Sequence, residues 1–115
     1  MAVPYKAPVK DIVFGYEVID SYNVLNKISA ISDFSEDIVS TTMEECAKFS
    51  EEVLAPINAI ADQQGATIKV RVVTMPEEFV EAYQKFAEAG WATISLPTDI
   101  GGGGMPITLS GGTLE

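Results

Sequence analysis

Chemistry needs a nucleophile, a base, a metal ligand or a phosphate cradle, and these 115 residues offer little of any. Histidine is absent, and Cys46 is the single cysteine. Cys46 therefore has no imidazole to activate it and no disulfide partner within the chain. It also falls on an apolar stripe, where a thiol behaves as a small hydrophobe. Metal binding would fall to carboxylates alone. The pairs Glu44–Glu45, Glu51–Glu52 and Glu77–Glu78 are adjacent on expected helices, so their side chains diverge and read as solvated charge. No catalytic residue and no metal ligand is expected.

Gly101 to Gly104 is a different kind of signal. No Lys-Ser/Thr follows it and no strand-to-helix spacing fits, so it is neither a phosphate-binding loop nor a dinucleotide fingerprint. Four glycines in a row make either a flexible turn or a close approach of backbone to a ligand or another chain segment, which only glycine allows. Trp91, Phe79, Tyr83 and Phe86 are most simply core, with Trp91 packed after a helix-ending glycine.

The elements that must position these residues follow from composition and period. At 47% hydrophobic and 21% charged, the chain fits one globular domain. Seven basic against 17 acidic residues give net −10, which nucleic acids and anionic membranes would repel. No apolar run approaches the roughly 20 residues of a membrane span, and MAVPYKAPVK is no signal peptide, so a cytoplasmic protein is expected.

Residues 1–21 open on Pro4 and Pro8, which discourage helix, and carry Ile12, Val13, Phe14, Val18 and Ile19; an arm laid across another surface is expected. Tyr22 to Ser29 fits a short helix with Val24, Leu25 and Ile28 on one face. From Glu36 to about Gln64, Val39, Met43, Cys46, Ser50, Val53, Ile57 and Ile60 recur at gaps of three and four, one helical face capped by Ser35. Pro56 interrupts the stripe without changing its phase, which predicts a bend and not a stop. Ala66 to Met75 is rich in β-branched residues and suggests a short two-stranded excursion. A helix follows, with Thr74 and Glu77 at capping-box spacing and Phe79, Val80, Tyr83, Phe86 and Ala87 on one face, stopping at Gly90. Trp91 to Leu96 reads as extended, and TLSGGTLE only begins another element, so the chain looks cut.

Taken together, these segments resemble the N-terminal helical domain of the acyl-CoA dehydrogenases. The matching stretches are FSEEVLAPIN (Phe49–Asn58), FAEAGWATISLP (Phe86–Pro97) and PTDIGGGGMP (Pro97–Pro106), in that order. The opening YKAPVKDIVFGYEVID (Tyr5–Asp20) is similar to the extra N-terminal arm of one branch, which includes methylthiopropanoyl-CoA dehydrogenase-type enzymes. The resemblance implies an FAD enzyme that introduces an α,β double bond into an acyl-CoA thioester, a glutamate taking the α-proton and the flavin the β-hydride. It also implies a helical N-terminal domain, a small β domain and a C-terminal helical domain, usually assembled as a homo-oligomer. The base and most of the flavin and acyl contacts lie beyond the region matched. By the same resemblance the glycine loop runs near the acyl-CoA cleft, which gives Gly102, Gly104 and Met105 a role in shaping it. Gly103 stands where the family often has a larger polar residue, implying a looser run.

The expected fold is therefore all-α with at most one short β-hairpin, comprising an N-terminal arm (1–21) and an incomplete helical domain (22–115). The expected function is a non-catalytic fragment of an FAD-dependent acyl-CoA dehydrogenase-like enzyme, binding no FAD by itself and walling one side of the acyl-CoA/FAD site. Its partners would be the parent's remaining domains and, in the parent, the acyl-CoA substrate. A non-enzymatic helical interaction module derived from that domain is the alternative.

Overall fold

The computed structural model describes residues 4–115. Six helices, α1 (Val9–Val18), α2 (Ser21–Leu25), α3 (Glu36–Phe49), α4 (Ala55–Gln64), α5 (Glu77–Glu88) and α6 (Ile107–Leu114), carry the fold. The strands β1 (Thr67–Lys69) and β2 (Val72–Thr74) form one antiparallel hairpin. The expected all-α class with one hairpin holds.

The segment expected as a non-helical arm is helical in α1. Pro8 sits at the N-cap, where its missing N–H costs nothing, and its carbonyl accepts from Ile12 N at 3.0 Å. Tyr16 thereby enters the core, half-buried Ile12 and Val13 flank it, and Phe14, Val18 and Ile19 stay exposed.

The long helical line from Glu36 to Gln64 forms as expected. Ser35 Oγ accepts from Ile38 N at 3.4 Å, capping α3. Between α3 and α4, Ser50–Leu54 makes a π-turn in which the Ala55 N–H bonds the Ser50 carbonyl, five residues back. Pro56 then falls in the first turn of α4. Free N–H groups are ordinary in a first turn, so the missing donor is absorbed and the line continues.

Val39, Met43, Tyr16, Phe34 and Leu109 form the core, with α1 and α6 packed on α3. The stripe beyond Met43 is only half-buried, and α4 packs mainly against α5. Phe49 meets Phe86 there, ring centroids 6.1 Å apart. On α5 the packed face is Phe79, Ala82 and Phe86, while Val80, Tyr83 and Ala87 are exposed, a narrower face than expected. Three further expectations fail locally. No capping box forms, since Thr74 is committed to β2 opposite Thr67 and Pro76 holds the N-cap. Trp91–Thr93 is a 3-10 turn and not an extended run. Of the apolar face proposed for Tyr22–Ser29, Leu25 is half-buried, but Val24 and Ile28 face solvent once α2 ends at Leu25.

The molecule is a thin slab of 53 × 37 × 18 Å with a radius of gyration of 17.0 Å, against about 13 Å for a compact domain of this length. Its accessible surface is 8323 Å², where a compact monomer of 12.3 kDa exposes about 6100 Å².

Candidate functional site

The glycine run is built by the chain folding back on itself. After a single 3-10 turn at Thr98–Ile100, Gly101 takes a left-handed φ of 87° and reverses the backbone. Four hydrogen bonds then zip the returning segment to the outgoing one: Gly102 N to Pro97 O, Gly103 N to Thr93 O, Gly104 N to Leu96 O and Met105 N to Ile94 O, all between 2.9 and 3.0 Å. The pairing is so close that a Cβ on Gly102 would run into the Leu96 carbonyl, and one on Gly103 would lie 2.6 Å from Ile94 O. Of the two uses open to such a run, close approach to another chain segment is the one observed. The looseness expected from Gly103 is corrected: glycine there packs against backbone, and any larger residue would force the segments apart.

This closed loop delivers Pro106 to the start of α6 and so sets Leu109 fully in the core. Gly104 and Met105 emerge from it on one cavity of about 230 Å³, facing Ser29–Phe34 and Ile38. Gly102 is not on that cavity; its space is taken by Leu96. The structure thus brings two of the three expected cleft residues together and separates the third.

The opposite wall depends on Phe34, 3% exposed, whose ring lies 6.3 Å from Tyr16 and 5.7 Å from Tyr22. Sequence reasoning missed Phe34, though a signal existed. It precedes the N-cap Ser35, and Val39 stands at the fourth helical position, the spacing of a hydrophobic staple. Both side chains are in the core.

Elsewhere the reactive groups are quiet. Cys46 is half-buried, its Sγ donates to Thr113 O at 3.6 Å, and burial pushes the thiol above its ordinary pKa, the reverse of a nucleophile's need. Among the described residues no cluster of three His, Cys, Asp or Glu can hold a metal. Glu51 departs from simple solvated charge: it accepts from Lys6 Nζ at 2.6 Å and from Ala7 N at 3.0 Å, clipping the N-terminal segment to the π-turn. The Lys6 hydrogen bond, foremost, holds its carboxyl below the ordinary range.

Larger clefts open on the surface. One, of about 610 Å³, lies between Tyr5, the π-turn, Phe86 and the end of α6; another, of about 510 Å³, lies between α1 and α6. No Lys or Arg lines either of these two clefts. Among the described residues no helix is long and apolar enough to cross a membrane.

The chain is 32% identical over 111 residues, 96% of its length, to the 3-methylmercaptopropionyl-CoA dehydrogenase of Ruegeria pomeroyi. It spans 19% of that protein's length. No family model matches it. The resemblance read from the three motifs therefore extends through nearly the whole chain, and it is a resemblance to one segment of an acyl-CoA dehydrogenase.

Proposed function

We propose that this chain is the N-terminal helical portion of an FAD-dependent acyl-CoA dehydrogenase-like enzyme, and that its own part is structural: one wall of the acyl-CoA/FAD site. The observation that carries this is the match to a fifth of a dehydrogenase, joined to a fold that leaves much of its apolar surface uncovered. A slab 18 Å thick is about two helix layers, enough to present a wall and too thin to enclose a thioester and a flavin. Gly104 and Met105, on the cavity rim, are the residues assigned to the acyl-CoA cleft; Gly102 acts through them by holding the loop against Leu96. Catalysis belongs, on this reading, to groups outside the chain, since no activated nucleophile or base is found among the described residues. Flavin and substrate are bound, on this reading, only when the parent's other domains close over the wall.

The test is a chimera in which this chain replaces the matching segment of the Ruegeria pomeroyi enzyme. The chain alone should purify without flavin absorbance, and the folded chimera should retain flavin and oxidise its thioester. Met105→Asp in the chimera should weaken thioester binding while leaving flavin content unchanged. Stoichiometric flavin on the isolated chain would overturn the assignment. So would a folded, flavin-loaded chimera whose thioester affinity ignores Met105→Asp.

A further inference from the structure

Among the described residues, the β-hairpin carries a conformational cost that no close packing offsets. Its turn, Val70–Arg71, holds both central residues at positive φ, 48° and 65°. That is the pattern of a type I′ turn, which favours Asn-Gly, and a β-branched residue there is strained. Val70 is also 95% exposed, so no packing compensates. A two-stranded hairpin is marginal by itself, and these strands scarcely touch any helix, with every strand residue exposed. Strained backbone persists where surroundings over-determine it, and here those surroundings must come from outside the chain.

Register identifies the groups left open. Lys69 pairs with Val72 across the two-residue turn, Ile68 with Val73, and Thr67 with Thr74. The pair closing such a turn exchanges both its hydrogen bonds, so Ile68 and Val73 form the alternate pair and their N–H and C=O groups point to the outer edges. Charge then separates the two edges. Residues 67–75 carry Lys69 and Arg71 and no acid, in a chain with 17 acidic and 7 basic residues. Just past β2, α5 opens on Glu77 and Glu78. The β1 edge has no comparable acid beside it; Asp62, back within α4, is the nearest upstream.

We propose that the outer edge of β2 pairs with the same edge of a second copy, antiparallel about a two-fold axis at Val73, to make a four-stranded sheet. In that register Val73 exchanges its two open hydrogen bonds with Val73 of the second copy. Arg71 lies beside Met75 of the second copy, within reach of that copy's Glu77 and Glu78. Each basic tip thus meets an acidic helix start instead of its like-charged counterpart, and the exposed Val73 side chains of the two hairpins lie side by side. The contact is self-complementary and closes at two copies. It does not depend on the enzyme assignment above.

Sedimentation equilibrium on the whole chain at physiological salt, up to about 200 μM, tests it. The expected species is a dimer. Val73→Pro removes the outward N–H and blocks the edge, and Arg71→Glu sets acid against acid; each should weaken dimerisation roughly tenfold or more. The double variant Arg71→Glu/Glu77→Arg should restore it, since the pair is re-formed with its signs exchanged. Arg71 is exposed, so its variants keep the fold and carry the test even where Val73→Pro disturbs the hairpin. A monomer at all concentrations overturns the proposal and leaves the edge to a different chain. A dimer indifferent to Arg71→Glu, or one the double variant fails to restore, overturns the register.

Discussion

Gly111 and Gly112 are neighbours on α6, and alanine at the two positions should have opposite effects. A Cβ on Gly111 meets nothing within 4 Å, so Gly111→Ala gains only the relief of glycine's helix penalty, about 0.5 kcal/mol so near a helix end. A Cβ on Gly112 would lie 2.6 Å from the Tyr16 hydroxyl and 3.0–3.1 Å from the end of Met43. Met43 is flexible there and can give way. Tyr16 is not free to move, because its hydroxyl donates to Thr108 O at 2.6 Å and its ring is in the core. Retreat would cost that hydrogen bond, about 1 kcal/mol, on top of the strain of overpacking, about 1–3 kcal/mol. Helix propensity returns less than 1 kcal/mol of this, so Gly112→Ala should lose about 1–3 kcal/mol net. The two variants should then differ by about 2 kcal/mol, or about 8 °C in Tm for a domain near this size. Urea titrations followed by far-UV circular dichroism measure it directly. Finding Gly112→Ala as stable as Gly111→Ala would mean that α6 does not press on Tyr16, and the packing argument would fail.

Two further outcomes follow from the same packing. Val39→Asp should cost about 4 kcal/mol because Val39 is fully buried, whereas Val53→Asp on the same stripe should cost about 1 kcal/mol because it is half-buried within the π-turn; equal losses in urea would refute the graded burial. Glu51, its folded pKa lowered chiefly by Lys6, contributes stability above its unfolded value and loses it as pH falls through the folded one. The stability gap between wild type and Glu51→Gln should therefore hold at neutral pH and close as pH falls below about 4.5, and a gap unchanged under stronger acid would exclude the clip.

What could be read from the sequence divides along the range of the interactions involved. The line from Glu36 to Gln64, the Ser35 cap and the stop at Gly90 all rest on neighbours within a turn or two, and all appear as expected. Pro8 misled because proline opposes a helix interior yet is neutral at a start, and only the packing of Tyr16 on α3 shows that a helix starts there. Val80 and Tyr83 were placed on a buried face by period alone. Period gives the direction of a side chain, but whether another element covers it is decided elsewhere in the chain, and α5 packs only through Phe79, Ala82 and Phe86.

The glycine loop marks where such reasoning reaches its limit and what replaces it. Four glycines in sequence imply that some backbone must come close, and they do not say to what. The structure supplies the missing partner: the carbonyls of Leu96, six residues before Gly102, and Ile94, nine residues before Gly103. Once that contact is known, the loop's chemistry changes character. Gly102 and Gly103 are spent on internal closure, and Gly104 and Met105, whose N–H groups are paired in the same zip, are the part of the run that reaches the cavity beside Phe34. On the reading proposed above, the acyl-CoA wall is sought at the exit of the loop, where it meets the Ser29–Phe34 turn, and not along the run of glycines itself.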